Sequence, residues 1–343
     1  MALQMIFGVI GGLGIFLLGM RYLSDGLQSI AGNTLRRLIA LVTNNRVMAI
    51  IIGIVVTTIV QSSSITSVMV VAMVNSTVMT LSQAVGVLMG ANIGTTITGW
   101  VLVLNIGAWG LPTMGFAAII YLFSKNQKVK FVAQAFLGVG MVFFGLELMK
   151  EGFKPIRSIP EYQQWFHMIE ATSYFNIIRI AFVGCILTVL VQSSSAVLAM
   201  TIGLASTGVI TFETSAALIL GQNIGTTITA FLASLGTTVN AKRTAYFHIF
   251  FNVFGTLIIL IVFHPYLNLI RFLVQGDPNF TPDNVSFPYV TRGIAYTHTF
   301  FNVANTLIFL PFLGSICKFL EKYVHMKAKP TKRYLTHLDF QHY

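Results

Sequence analysis

Four neutral polar residues, Gln61-Ser62-Ser63-Ser64, lie inside an apolar stretch, and Asp, Glu, Lys, Arg and His are absent from Val47 to Ser124. Serine favours the N-cap of a helix, so this run predicts a helix that begins near Ser63 or Ser64. The first turn of such a helix has free N–H groups and a partial positive charge. It can therefore bind an anion without a charged side chain, which would cost several kcal/mol at membrane depth.

The same arrangement occurs twice in the chain. Gln61–Ser64 returns as Gln192-Ser193-Ser194-Ser195, and GANIGTTIT at Gly90–Thr98 returns as GQNIGTTIT at Gly221–Thr229, both 131 positions later. Two copies at a fixed spacing predict two structural half-repeats. We therefore expect two helix N-termini that face one anion site.

The GxNIGTT segments are predicted to be second breaks that line the same cavity. Their glycines permit unusual backbone conformations, and an asparagine side chain both donates and accepts hydrogen bonds. The predicted substrate-binding residues are Gln61, Ser62, Ser63, Ser64, Gln192, Ser193, Ser194, Ser195, Asn92 and Asn223.

Amide, hydroxyl and backbone oxygens at these segments would also suit a hard cation such as Na⁺. Proton coupling would more naturally use an intramembrane Asp, Glu or His. The first half has none, and the second has only Glu213, at a predicted helix start. Sodium is therefore favoured, with a predicted set of ligands made of Gln61, Thr66, Thr95, Gln192 and Thr226.

The elements that must position these residues are membrane helices. Of the 343 residues, 55% are hydrophobic and 9% charged, and the mean hydropathy is +0.79. Soluble domains carry about 25% charged residues. Apolar runs near the ~20 residues that span a bilayer must form helices, since lipid offers the backbone no hydrogen bonds. The runs are Met5–Tyr22, Ala84–Leu104, Phe131–Leu148, Thr214–Leu235, Ala245–Phe263 and Ala295–Leu313, with Leu111–Phe123 a weaker candidate.

Each QSSS run interrupts a segment too short to cross a membrane by itself. Val47–Val60 would give about 21 Å of helix and Ile65–Val74 about 15 Å, against a hydrocarbon core of about 30 Å. Together they predict either a long broken helix or a re-entrant hairpin with QSSS at its tip.

Loop charges favour the hairpin. The connector Arg21–Arg46 is basic, whereas the connector Glu147–Asn176 has mixed charge. Placing the basic loops in the cytoplasm puts the two connectors on opposite sides, which makes the halves inverted if each QSSS segment returns to its own side. Inverted repeats are typical of secondary transporters, whose sites lie near the bilayer midplane.

The predicted fold is thus an all-α, multi-pass protein of the plasma (inner) membrane. Residues 1–125 and 126–240 form the inverted repeats, 241–317 are C-terminal transmembrane helices, and 318–343 are a basic cytoplasmic tail. The net charge of +11 is attributed to loops that set topology, and no nucleic-acid partner is expected.

A second duplication relates Ala245–Leu260 to Ala295–Leu310. His248 and Asn252 share one helix face, as do His298 and Asn302. A buried interhelical hydrogen bond is favoured for them over contact with substrate. A serine hydrolase would need one of these histidines as a base beside Ser63 or Ser194, but no paired acid is evident.

The paired QSSS and GxNIGTT motifs resemble those of the type II sodium-dependent phosphate cotransporters, over roughly Met1–Asn240. The resemblance implies a bacterial-type member without a soluble regulatory domain. It implies a non-enzymatic importer of inorganic phosphate that co-transports sodium, uses no organic cofactor and is compatible with a homodimer. An anion channel, or a sodium-coupled transporter of sulfate or a small carboxylate, remains the alternative from the residues alone.

Overall fold

The computed structural model describes residues 2–32, 34, 38, 45–104, 106–159, 170–283 and 286–325, which contain helices and no strands. The first seven helices are α1 (Ala2–Ala31), α2 (Arg46–Val60), α3 (Ser63–Asn75), α4 (Leu81–Thr95), α5 (Ile97–Val103), α6 (Gly107–Phe123) and α7 (Gln127–Phe153). The remaining helices are α8 (Tyr174–Val191), α9 (Ser194–Ser206), α10 (Phe212–Thr226), α11 (Ile228–Ala233), α12 (Val239–Ile261), α13 (Phe263–Val274), α14 (Val290–Phe309) and α15 (Leu313–Tyr323).

Seven helical segments in the described ranges are long and apolar enough to cross a membrane, which confirms the prediction of a polytopic α-helical membrane protein. Six of them contain or closely match the six apolar runs of the sequence. The seventh, Tyr174–Val191, was missed because Arg179 interrupts it and the Gln192 break ends it early. Leu111–Phe123 lies in the 17-residue helix α6.

The first QSSS segment is a hairpin rather than a broken straight helix. Oγ1 of Thr57, near the end of α2, donates to Oγ1 of Thr66 in α3 at 3.1 Å. Nine residues of continuous helix would separate these two positions by about 13 Å. Helix α3 therefore turns back along α2, as the loop charges predicted.

The helix packing around the hairpins is duplicated. A Cβ atom on Gly90 of α4 would lie 2.0 Å from the carbonyl oxygen of Ile50 in α2. At the positions 131 residues later, a Cβ atom on Gly221 of α10 would lie 1.6 Å from the carbonyl oxygen of Ala181 in α8. Only glycine allows helix backbones to approach so closely. The α2–α4 and α8–α10 pairs thus share one packing geometry.

Helices α1 and α7 pack along their lengths in antiparallel directions. Gly12 contacts Gly145, whereas Gly19, further along α1, contacts the earlier residue Gly138 of α7. The two helices carry the segments GLGIFLLGM and GVGMVFFGL, which the sequence aligns at an offset of 126. Counterpart segments of the two halves therefore lie side by side and point in opposite directions.

Helices extend into two segments that were predicted from the sequence as a connector and a tail. The predicted polar connector began at Arg21, but α1 continues to Ala31 because an apolar face persists through Leu23 and Leu27. The predicted tail begins at Lys318, which lies inside α15. Residues 326–343 of that tail lie outside the described residues.

Candidate functional site

The hairpin returns α3 and α9 begin at equivalent residues and have the same length of 13 residues. Ser62 is the N-cap of α3, and its Oγ accepts a hydrogen bond from the N–H of Ile65 at 3.2 Å. Ser193 caps α9 in the same way, accepting from the N–H of Ala196 at 3.3 Å. The predicted helix starts near Ser63 and Ser194 are confirmed.

The glutamine before each serine run makes the turn. Gln61 has φ 53° and ψ 23°, and Gln192 has φ 55° and ψ 22°, both in the left-handed region. This conformation costs a non-glycine residue about 1–2 kcal/mol, so a turn alone would favour glycine. The side chain of Gln61 is used: it donates to the carbonyl of Thr58 at 2.6 Å and accepts from Oγ1 of Thr98 at 3.3 Å.

The two QSSS tips, residues 61–64 and 192–195, meet at one cavity of about 410 Å³. All eight residues of the tips line it. Its size lies in the range of small-ligand sites. Two helix N-termini therefore open onto the same volume, and their partial positive charges act on whatever occupies it.

The serines divide into caps and unbound hydroxyls. The hydroxyls of Ser62 and Ser193 are engaged as caps, but within the described residues no protein group hydrogen-bonds the hydroxyls of the other four serines of the tips. The backbone N–H groups of these four also belong to the unpaired first turn. Together they offer eight donors toward the cavity, from Ser63, Ser64, Ser194 and Ser195.

Helix α1 completes the cavity, a contribution that was not predicted from the sequence. Leu17, Met20, Arg21, Ser24 and Asp25 lie on the lining. The hydroxyl of Ser24 also donates to the carbonyl of Val60 at 2.5 Å, which ties α1 to the end of α2. A signal was present, because Arg21 and Asp25 are charged residues four apart at the end of an apolar run.

Asn92 and Asn223 do not line this cavity. Nε2 of His248 donates to Oδ1 of Asn92 at 3.2 Å, and Nε2 of His298 donates to Oδ1 of Asn223 at 3.2 Å. All four residues are buried. The interhelical hydrogen bond predicted for each histidine is confirmed, and it links α12 to α4 and α14 to α10.

The threonines of the predicted sodium set also lie off the cavity lining. Oγ1 of Thr95 donates to the carbonyl of Ala91 at 2.9 Å, as Oγ1 of Thr226 does to that of Gln222. Thr66 bonds both Thr57 and the carbonyl of Ser62. The predicted second breaks are single-residue interruptions at Thr96 and Thr227, both in right-handed helical conformation.

Removing either side of a histidine–asparagine bond should destabilise the fold. We expect Asn92→Ala and His248→Ala each to lower the free energy of unfolding by about 1–3 kcal/mol, because each leaves a buried polar partner unpaired. The double variant should cost less than the sum of the two single costs. Thermal unfolding of the purified protein in detergent measures all three. Strictly additive costs would contradict an energetic link between the two side chains.

Comparison with known proteins gives the class of protein. The model of the Na⁺/Pi-cotransporter family matches residues 15–151 and 163–275. The chain belongs to this family of membrane transporters. The matched ranges contain both QSSS tips and both GxNIGTT segments. No solved structure matches the chain.

Its relatives carry several names. The "Uncharacterized protein YqeW" of Bacillus subtilis is 29% identical over 247 residues, which are 71% of this chain and 78% of that protein. The "Putative inorganic phosphate export protein YjbB" of Salmonella typhimurium is 27% identical over 73% of this chain and 46% of its own length. The human "Sodium-dependent phosphate transport protein 2B" is 35% identical over 98 residues, 28% of this chain and 14% of its own. The chain thus spans less than half of the last two proteins.

Proposed function

We propose that the protein is a sodium-coupled transporter that imports inorganic phosphate, with the anion bound between the two QSSS tips. The observation that carries the proposal is the single cavity lined by all eight residues of the tips. The family supports a phosphate substrate. Sulfate and small carboxylates are also anions that hydrogen-bond donors can bind, and they are the alternative substrates.

The geometry of the tips suits a tetrahedral oxyanion. Phosphate has four oxygens, and each tip offers two backbone N–H groups and two serine hydroxyls. Hydrogen bonds from neutral donors to a charged acceptor are stronger than bonds between neutral groups. Donors without a full charge hold the anion while still allowing its release, which transport requires.

Sodium would bind beside the phosphate. Gln61 and Gln192 line the cavity, and they are the members of the predicted set placed to contact a cation there. Thr66, Thr95 and Thr226 lie off the cavity lining, so their hydroxyl oxygens would contribute only if their helices moved toward the cation. A bound phosphate would itself attract the cation, which couples the two ions electrostatically.

We propose inverted repeats as the basis of alternating access. The antiparallel contact of α1 with α7 supports this, since Gly12 pairs with Gly145 and Gly19 with Gly138, while the aligned counterparts are Gly12 with Gly138 and Gly19 with Gly145. Such an exchange of partners is what a two-fold axis between the helices requires.

The membrane orientation follows from charge. Arg46 lies against Gly314, and Arg243 donates to the carbonyl of Glu321, so basic residues at the starts of α2 and α12 both lie beside α15. The positive-inside rule places these basic residues on the cytoplasmic side. We propose the inner membrane as the location, with α15 on its cytoplasmic face.

Export is a second candidate, because relatives named as phosphate export proteins align over about three quarters of the chain. Sodium coupling distinguishes the two directions. A symporter driven by an inward sodium gradient accumulates phosphate on the side that sodium enters. An exporter would instead move phosphate against sodium or without it.

The test is uptake of radiolabelled phosphate into proteoliposomes that contain the purified protein. With an inward sodium gradient we expect phosphate to accumulate above its equilibrium level, and with potassium in place of sodium we expect no accumulation. Equilibration of phosphate that is the same with sodium and with potassium would indicate a channel. If correctly folded protein moves no phosphate, the same assay with sulfate and then with small carboxylates identifies the anion.

A further inference from the structure

The mouth of the QSSS cavity carries one ion pair. Nε of Arg21 lies 3.9 Å from Oδ2 of Asp25, one turn along α1. Of the described residues that line the cavity, these two are the only charged ones. A full positive charge and a full negative charge thus stand beside a site built otherwise from neutral groups.

This pair is weak by its geometry. The distance of 3.9 Å is at the limit of an ion pair, and the described residues show no hydrogen bond between the two side chains. The side chain of Arg21 is 79% exposed and that of Asp25 is 52% exposed. An acidic residue that precedes the basic one by four positions is the favoured order in a helix, and here the order is reversed. Arg21 can therefore exchange this partner easily.

Phosphate is the better partner for a guanidinium group. The planar fork of Arg21 offers paired N–H donors that match two oxygens of a phosphate, which the long contact with Asp25 does not use. Ser24, between the two charged residues, is bonded to Val60 at the end of α2. The exchange would thus occur next to the segment that carries the first QSSS tip.

We propose that Arg21 is a phosphate-binding residue that exchanges Asp25 for phosphate at the mouth of the cavity. Arg21 binds the incoming phosphate, which then passes to the QSSS tips. Arg21 then returns to its contact with Asp25, so that it does not retain the anion. This inference rests on the proposed phosphate transport and adds its entry step. The inference assigns opposite effects to the two charges, because Arg21 attracts phosphate and Asp25 competes with phosphate for Arg21.

The test is the kinetics of phosphate transport by variants of the two residues in proteoliposomes. We expect Arg21→Gln to raise the KM for phosphate at least tenfold with little change in maximal rate, and Arg21→Lys to restore part of the affinity. Asp25→Asn should lower the KM severalfold and also lower the maximal rate, because Arg21 then releases phosphate slowly. The double variant Arg21→Gln/Asp25→Asn should behave like Arg21→Gln.

A matched control is available at another intrahelical ion pair. Lys154 and Glu151 lie outside the cavity, and their side chains are 51% and 56% exposed. Lys154→Gln should leave both kinetic parameters within twofold of wild type. A purely structural role of Arg21 would lower maximal rate and thermal stability in all variants without opposite changes in KM, and would overturn the proposal.

The outcomes separate the inference from the function on which it rests. If wild-type protein transports phosphate while Arg21→Gln and Asp25→Asn leave KM unchanged, the entry step is wrong and the proposed function stands. If wild-type protein transports no phosphate, the proposed function fails first, and the role of Arg21 toward phosphate fails with it.

Discussion

Replacing Ser63 and Ser194 together with alanine should reduce phosphate uptake below detection in protein that still folds. Each hydroxyl is a donor on the cavity without a partner among the described residues of the protein. A hydrogen bond to a charged group contributes about 1.5–3 kcal/mol. Each single variant should thus lose about tenfold to a hundredfold in apparent affinity, and the double variant roughly the square of that.

A serine one turn further along the same helix supplies the control for this experiment. The hydroxyl of Ser67 donates to the carbonyl of Ser64 at 3.0 Å, and the residue does not line the cavity. Ser67→Ala should keep uptake within twofold of wild type. Uptake at the wild-type rate by the Ser63→Ala/Ser194→Ala variant would show that the tips do not hold the substrate.

The capping serines should behave differently from their neighbours. Ser62→Ala and Ser193→Ala remove the N-cap oxygen that accepts a hydrogen bond from the first turn, which costs about 1 kcal/mol of stability. Their main effect should be a lower unfolding temperature of the purified protein. The comparison separates a structural role of the capping serines from a binding role of their neighbours. A larger loss of phosphate affinity in Ser62→Ala than in Ser63→Ala would reverse these two roles.

The hairpins were predictable because their signals are local. The starts at Ser63 and Ser194 follow from the preference of serine for the N-cap, and the duplication at a fixed offset indicated that both would form the same turn. The left-handed conformation of Gln61 and Gln192 was not predictable, because glutamine has no preference for it. Tertiary contacts such as the one from Thr98 to Gln61 stabilise it.

The contacts that the sequence did not predict are those between residues far apart along the chain. Asn92 and Asn223 have side chains suited to a ligand, but each is bonded to a histidine 156 or 75 positions away. The opposite case is α1, which joins the cavity through Arg21, Ser24 and Asp25 only because it packs beside α2 and α9. Neither partnership leaves a pattern in local spacing.

Gly221→Ala should destabilise the protein more than any other single methyl group added to this packing. The new Cβ would lie 1.6 Å from the carbonyl oxygen of Ala181, so α8 and α10 would have to separate by more than 1 Å. Overpacking costs about 1–3 kcal/mol and occasionally more, and we expect the upper end, with the unfolding temperature lowered by about 4 °C. Gly90→Ala, at 2.0 Å from the oxygen of Ile50, should behave similarly.

The direction of the stability change distinguishes overpacking at Gly221 from the effect of helix propensity. Alanine favours a helix over glycine by about 1 kcal/mol, so a glycine in open space should tolerate or gain from the change. Gly115 has no atom within 4 Å of its added Cβ, and Gly115→Ala should leave the unfolding temperature equal or slightly higher. Equal melting of the Gly115→Ala and Gly221→Ala variants in detergent would refute the close packing of α8 on α10.

Transport should fail in Gly221→Ala even in protein that remains folded. Helix α8 ends at Val191 and leads directly into Gln192, so a shift of α8 away from α10 moves the second QSSS tip relative to the first. Displacing donors by about 1 Å weakens every hydrogen bond that depends on their geometry. Because the obstructing atom is a backbone oxygen, no smaller side chain at Ala181 can relieve the contact. Uptake assays should therefore find that Ala181→Gly does not rescue Gly221→Ala, whereas rescue would place the contact in the side chain instead.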